Sequence, residues 1–283
     1  MIDAASKKTK RNLTIFTVMV LLSGWIGVLV DTLIPAQEPG YSLGMTFWLV
    51  IPLLTAVLLR TFGGDGWKDS GLLPRFRGNI KWYVICFFIF PLVTLMVVAL
   101  GLVLGWIDAS NFNINAFMIA FAGGLLINLI INFFEQSVWM GYLTSKLLKL
   151  KMSDLCIYII VAVVWGLFWH LPYYLIFLPF EDLQLIIPLE RWMVVLWTFP
   201  IYICWGVMFI EIYRITKSIW PVVITHMAED ALFNAILFGG FIEVAHRREI
   251  FISPWIGAIP ALVYLSIGLI LRKHRKSKEV CAE

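Results

Sequence analysis

Residues 82–107 read WYVICFFIFPLVTLMVVALGLVLGWI, and this stretch decides the fold class because it contains no Asp, Glu, Lys, Arg or His. It exceeds the run of about 20 apolar residues that a helix needs to cross a bilayer. The whole chain of 283 residues shares this character, with 61% hydrophobic and only 14% charged residues and a mean hydropathy of +0.88. These values exclude a soluble domain and indicate an integral membrane protein.

Apolar runs of similar length lie on both sides of this stretch. The eight predicted spans are 13–34, 42–61, 82–107, 114–143, 153–179, 192–212, 217–240 and 253–271. We therefore predict an all-α, polytopic membrane protein of about eight transmembrane helices that forms one domain over residues 1–283. Pro172 lies inside the fifth span and is expected to kink or end that helix.

The distribution of basic residues predicts the orientation of these spans. If the N-terminus is cytoplasmic, all but three of the 22 Lys and Arg residues fall in cytoplasmic segments, the exceptions being Arg191, Arg247 and Arg248. The positive-inside rule therefore favours a cytoplasmic location for both termini. The net charge of +4 then needs no nucleic-acid partner, because the basic residues face anionic lipid at the cytoplasmic face of the membrane.

Ionisable side chains inside the predicted spans point to the functional site. They are Glu135, His170, His226, Glu229 and Asp230. A charge at the bilayer centre costs about 3 kcal/mol or more, so such residues face one another or a wet cavity. Three carboxylates and two imidazoles form a set that can accept and donate protons, as acid–base catalysis requires.

Two of these residues lie in separate aromatic segments, and each also has a structural interpretation. Glu135 lies in FFEQSVWMGY (133–142), and the structural alternative is a carboxylate at the membrane interface. Helical rise places it about 16 Å before Lys146, which is deep for such a residue. His170 lies in WGLFWHLP (165–172), and its alternative is a hydrogen-bonded histidine of the core.

The seventh span carries the remaining cluster, HMAEDALFN (226–234). His226, Asp230 and Asn234 are spaced four residues apart and share one helical face, with Glu229 beside it. The structural alternative is a stripe of hydrogen bonds between helices. Asn234 and Glu229 fit that alternative best.

Together the three segments resemble the intramembrane glutamic endopeptidases, which include the CAAX prenyl endopeptidases and the bacterial CPBP or Abi proteins, some associated with bacteriocin immunity. That family carries Glu-Glu-x-x-x-Arg, Phe-x-x-x-His and His-x-x-x-Asn/Asp motifs on successive membrane helices. The resemblance covers about 115–240 and departs from the pattern at Gln136, Met140 and Gly166, where the family has Glu, Arg and an aromatic residue. Gln136 and Met140 are four residues apart, so we predict that they jointly replace a structural ion pair.

The resemblance implies an endopeptidase of the bacterial plasma membrane that uses neither a metal nor another cofactor and cleaves a membrane-associated peptide or protein. In the implied mechanism, Glu135 assisted by His170 deprotonates a water molecule, while His226 and Asp230 stabilise the oxyanion. A carboxylate only accepts hydrogen bonds, so Asp230 must be protonated to donate, or must orient His226 instead. We expect the four residues to converge in a cavity open toward the cytoplasmic half of the membrane.

Three other functions are compatible with the same residues. Two histidines and two or three carboxylates can hold a zinc ion with an open water position, although the sequence lacks a His-Glu-x-x-His motif. A membrane immunity or regulatory scaffold that kept the fold without cleaving is favoured by the altered first motif. A transporter with a proton relay is a further alternative, without an inverted repeat to support it. The sequence does not define an oligomeric state.

Overall fold

The computed structural model describes residues 2–34 and 42–280, and its secondary structure is almost entirely helical. The α-helices are α1 (Ile2–Leu33), α2 (Leu43–Thr61), α3 (Ile80–Val103), α4 (Ile114–Val138), α5 (Ser145–Lys149), α6 (Asp154–Val161), α7 (Phe180–Ile186), α8 (Arg191–Thr216), α9 (Trp220–Phe233), α10 (Glu249–Ile252) and α11 (Ala258–Val280). Four segments are π-helical: π1 (Trp139–Thr144), π2 (Ala162–Trp169), π3 (Tyr173–Phe177) and π4 (Asn234–Phe238). Two short strands, β1 (Ile107–Asp108) and β2 (Glu243–Val244), form an antiparallel pair.

The architecture confirms an all-α polytopic membrane protein. Within the described residues, 7 helices are long and apolar enough to cross a membrane. The eighth predicted span, 253–271, is only partly helical, because its helix begins at Ala258 and then continues as a basic segment from Arg272 to Val280. This helix is not among the seven, so the predicted number of eight spans is not confirmed.

Charged groups gather at one end of the bundle, where α2, α4 and π1 end and α6 begins. Arg60 in the last turn of α2 donates to Asp69 Oδ1 at 2.8 Å, and Lys146 lies 2.9 Å from the other oxygen of that carboxylate. At the same end, Arg214 and Arg275 bind Asp154 at 2.7 and 3.1 Å. The short sheet lies at the other end of the bundle, where α3 and π4 end. We call the end with the charged groups the basic end and the end with the strands the sheet end.

Small residues allow the first two helices to pack closely. A Cβ at Gly44 would lie only 2.1 Å from the carbonyl oxygen of Gly27, so only glycine fits at this crossing. The backbone N–H of Gly44 also donates to Asp31 Oδ1 at 2.7 Å, which satisfies a donor in the first turn of α2. The aromatic core lies deeper, where Phe90 on α3 packs against Tyr264 on α11 with ring centroids 4.4 Å apart.

The fifth span bends at the candidate site, as Pro172 predicts. Regular α-helix ends at Val161, π2 and π3 follow, and the helix is interrupted at His170, two residues before the proline. Pro172 has no backbone N–H, so the helical hydrogen bonding cannot continue unchanged past it. At this bend the imidazole of His170 packs beside Trp48 of α2 and Tyr202 of α8.

Candidate functional site

A cavity of about 270 Å³ lies between α2, α4, α8, α9 and the fifth span. Its lining includes all four residues predicted as catalytic, Glu135, His170, His226 and Asp230. Glu229 and Asn234 line the same cavity. The structure therefore brings together polar side chains that lie in three separate parts of the sequence.

Trp165 connects Glu135 to His170. Its indole N–H donates to Glu135 Oε1 at 2.9 Å, and its backbone carbonyl oxygen lies 2.8 Å from His170 Nδ1. A carbonyl oxygen can only accept, so Nδ1 carries the proton, and Nε2 of the neutral ring is left as an acceptor. His170 can therefore take a proton or a hydrogen bond at Nε2, and one residue fixes both side chains.

Aromatic rings hold the imidazole of His170 in place. The ring of Tyr202 on α8 stacks on it at 4.6 Å between centroids, and Trp169 packs edge-on at 4.8 Å. This close approach of α8 depends on Gly166, where an added Cβ would lie 2.3 Å from Tyr202 Cβ. The glycine that departs from the family pattern thus makes room for an aromatic ring supplied by another helix.

His226 lies between an amide and a carboxylate. Its Nδ1 is 2.8 Å from Gln136 Nε2, and its Nε2 is 3.3 Å from Glu229 Oε2. Within the described residues, neither oxygen of Glu229 accepts a hydrogen bond, although its side chain is only 1% exposed. If Gln136 donates to Nδ1, the neutral ring carries its proton on Nε2, beside the Glu229 carboxylate and at the lining of the cavity.

Asp230 is held by α4. Asn132, one turn before Glu135, donates its amide to Asp230 Oδ2 at 2.6 Å. One oxygen of the carboxylate therefore has a partner, and Asp230 lies in a fixed position on the lining of the cavity. The amide of Asn132 links α4 to α9 one turn away from the contact of Gln136 with His226.

The seventh span also offers a set of atoms that could hold a metal ion. One ligand atom each from His226, Glu229 and Asp230 lie within 4.8 Å of one another. An imidazole nitrogen and two carboxylate oxygens are ligands that zinc accepts. The metal alternative of the sequence analysis thus has a defined location, on α9 alone and without Glu135.

Several residues of the site were not identified from the sequence. Asn132, Trp165 and Tyr202 are neutral, and such residues occur in many membrane helices as packing or hydrogen-bonding groups. Asn132 had one usable signal, because it lies one helical turn before Glu135 on the same face. Gln136 was interpreted only as the replacement of an ion-pair member, whereas its amide contacts His226.

The cavity lies toward the sheet end of the bundle, and its opening toward the cytoplasmic half of the membrane stays a prediction. Met45 and Trp48, in the first turns of α2, and Phe238, at the end of π4, line it. These residues lie toward the sheet end, whereas Arg60 in the last turn of α2 marks the basic end. Helical rise from the basic residues predicts the depth of Glu135 and His226, but it does not predict the end at which the cavity opens.

A second, apolar pocket of about 280 Å³ adjoins the cavity. It lies between α2 and α4 and shares four lining residues with the first, namely Leu49, Ile131, Glu135 and Trp169. The rest of its lining is hydrophobic and includes Leu53, Phe134 and Val138. Glu135 therefore stands at the border between a polar cavity and an apolar one.

The fold and the cavity define a helical membrane protein with a candidate hydrolase site inside the bundle. Residues 117–232 match the family model of the type II CAAX prenyl endopeptidases, described as Rce1-like. The match confirms the resemblance to the CAAX proteases over the central part of the chain and supports a protease at the level of the family. The matched region contains Glu135, His170, His226 and Asp230. No curated protein and no solved structure matches the chain.

Proposed function

We propose that this protein is an intramembrane glutamic endopeptidase that cleaves a membrane-associated peptide or protein without a metal ion. The observation that carries this proposal is the convergence of Glu135, His170, His226 and Asp230 on one cavity. Its proposed location is the bacterial plasma membrane.

The proposed reaction begins with a water molecule bound between Glu135 and Nε2 of His170. Glu135 takes a proton from this water while the water oxygen attacks the peptide carbonyl carbon. The carbonyl oxygen becomes an oxyanion that accepts a hydrogen bond from Nε2–H of His226. When the C–N bond breaks, the amine leaving group takes the proton from Glu135, which restores the carboxylate.

In this mechanism Asp230 either positions His226 or, when protonated, donates a hydrogen bond to the oxyanion. Its hydrogen bond from Asn132 holds it near His226, and its ionised form can only accept. A proton on Asp230 would make it a second oxyanion donor, and each such donor contributes about 10²–10³-fold in rate. Glu229 lies close to both groups and is the proposed source of that proton.

The apolar pocket beside Glu135 supports a substrate with an apolar segment next to the scissile bond. A peptide lying between α2 and α4 would place apolar groups against Leu53, Phe134 and Val138. Its carbonyl group would then face Glu135 at the border with the polar cavity. This arrangement favours a chain that is already bound in the membrane over a soluble peptide.

A non-cleaving immunity or regulatory scaffold is the second candidate. The observation that favours it is the contact of Gln136 with His226, because a neutral amide stands where the family has a second carboxylate. A scaffold would need the cavity as a binding site but would not need Glu135 as a base.

Substitution of the proposed base separates the two candidates. Glu135→Gln keeps the size of the side chain and an acceptor for Trp165, so we expect folding to be retained and cleavage to fall about 10²–10⁴-fold. Membranes containing each variant would be incubated with membrane-bound peptides, and cleavage products counted by mass spectrometry. Glu181→Gln, an exposed acid on α7, is the matched control and should retain activity.

Chelators and a complementation assay complete the test. Chelation should leave cleavage unchanged if Glu135 activates the water, whereas a metal at His226, Glu229 and Asp230 would make cleavage sensitive to chelators. If Glu135→Gln retained full biological function in a strain without the wild-type copy, the protein would act by binding, and the scaffold candidate would replace the protease.

A further inference from the structure

A third pocket, of about 330 Å³, lies at the basic end, away from the candidate active site. Three segments form it: the loop after α2, helix α5, and the turn between α8 and α9. Backbone contacts fix these segments, since Ile219 N–H donates to Gly71 O at 2.9 Å and Tyr213 OH donates to Asp69 O at 3.0 Å. Its volume lies within the range of about 300–1,000 Å³ that is typical of ligand pockets.

Four basic side chains line this pocket, namely Lys68, Arg75, Lys149 and Lys217. Among the residues that the structure describes, Lys68, Arg75 and Lys217 have no ion-pair or hydrogen-bond partner for their side chains, and all three are exposed. Lys217 is fixed in a left-handed conformation at the end of α8 (φ 54°), with its N–H bonded to Tyr213 O. The pocket thus presents several unpaired cations toward one volume.

Asp69 is the one acidic residue in the lining, and it is neutralised by Lys149 of the pocket, 2.9 Å away, together with two cations outside the pocket. Arg60 and Lys146, both almost fully buried, bind its carboxylate at 2.8 and 2.9 Å. Burial raises the pKa of Asp69, but hydrogen bonds from Arg60 and two lysines outweigh this effect and hold the pKa well below its usual range. These ion pairs neutralise the negative charge of Asp69, so the electrostatic potential in the pocket stays positive.

The depth of the pocket indicates the source of its ligand. Lys149 ends the candidate span Ile114–Lys149, and Lys217 directly follows the span Arg191–Thr216. The ends of apolar helices lie at the level of the lipid headgroups. We propose that this pocket binds the phosphate of an anionic phospholipid headgroup through Lys68, Arg75 and Lys217, which have no ion-pair partner among the described residues. This proposal is independent of the proposed protease.

Thermal unfolding of the full chain in neutral detergent micelles tests the proposal. Phosphatidylglycerol, phosphatidylcholine or inorganic phosphate would be added, and the dissociation constant taken from the rise in the unfolding midpoint. We expect phosphatidylglycerol alone to stabilise the protein. Lys68→Gln with Arg75→Gln should weaken this binding about 25-fold, at about fivefold for each charge removed, and leave the midpoint without lipid unchanged.

The matched control removes two charges at the same end of the molecule but outside the pocket. Lys273→Gln with Lys278→Gln, both exposed on α11, changes the net charge equally and should leave phosphatidylglycerol binding within twofold of the wild type. An equal loss in both double variants would show that diffuse charge, and no pocket, attracts the lipid. Equal stabilisation by inorganic phosphate would show a free-anion site instead and would overturn the assignment to lipid.

Discussion

Single residues in this protein act across helix boundaries. Trp165 uses its indole N–H for Glu135 and its backbone carbonyl for His170, so one residue aligns the proposed base and its assistant. Gln136 reaches His226 from α4. Because polar groups inside a bilayer have no water to bind, each of these contacts also removes an unsatisfied group from the interior. The same hydrogen bonds therefore hold the helices together and fix the geometry of the site.

Gln136 and Met140 stand where the family has an ion pair, so we predict that their substitutions are energetically coupled. Gln136→Glu would place a carboxylate against His226 in a fully buried position, so we expect it to destabilise the protein by about 3 kcal/mol. Met140, also fully buried, lies one turn further along, and adding Met140→Arg should recover 1 kcal/mol or more of the loss. A double-mutant cycle on unfolding in detergent measures this coupling. Additive effects would show that the two positions do not replace an ion pair.

The charged members of the site could be predicted from the sequence, and their neutral partners could not. An ionisable side chain in a membrane span is costly, so each one is conspicuous in an apolar sequence. The indole of Trp165 and the amide of Asn132 are neutral and therefore do not stand out in an apolar sequence. The carboxylate that each one binds depends on how α4, α9 and the fifth span pack. The roles of Glu135, His170, His226 and Asp230 stay predictions until they are tested.

The positions of the long helices agree with the apolar runs of the sequence, but the π-helical turns within them were not predicted. The hydrophobic run predicted at 42–61 is helix Leu43–Thr61, because length and hydropathy alone define a span. The π-helical turns could not be predicted, since they depend on contacts with neighbouring helices. π2 lies beside His170 and π4 begins at Asn234, in keeping with the frequent occurrence of such turns at functional sites. The last helix shows the limit of hydropathy, because its apolar part is short and its second half is charged.

Gly166 allows the fifth span to pack closely against Tyr202 on α8. A methyl group there would collide with Tyr202, so Gly166→Ala should lower stability by about 1–3 kcal/mol and displace the ring that stacks on His170. We expect a fall in cleavage along with the lower unfolding midpoint. Gly206→Ala on α8 is the matched control, because nothing lies within 4 Å of a Cβ at that position, and it should keep or raise stability. Equal behaviour of the two variants would contradict a positioning role for Gly166.

Across the whole molecule, the two ends of the bundle have different characters. The basic end carries networks of ion pairs around Asp69 and Asp154, and the sheet end carries the strand pair. Asn234 and Phe238, which line the cavity and are exposed, lie toward the sheet end. The positive-inside rule predicts that the basic end is cytoplasmic. The cavity would then face the opposite side of the membrane, where the substrate would have to be presented.

This orientation can be measured with single cysteines in a chain whose 4 native cysteines have been replaced. We expect a membrane-impermeant maleimide to label Asn234→Cys in intact cells, because Asn234 lines the cavity and is exposed toward the sheet end. His246→Cys, in the exposed segment after β2, should also be labelled, whereas Lys68→Cys at the basic end should react only after permeabilisation. Labelling of Lys68→Cys in intact cells would reverse the predicted topology. Protection of Asn234→Cys alongside a labelled His246→Cys would instead keep the topology and show that the cavity is closed to the outer aqueous phase, so that the substrate must reach Glu135 from the bilayer or from the cytoplasmic side.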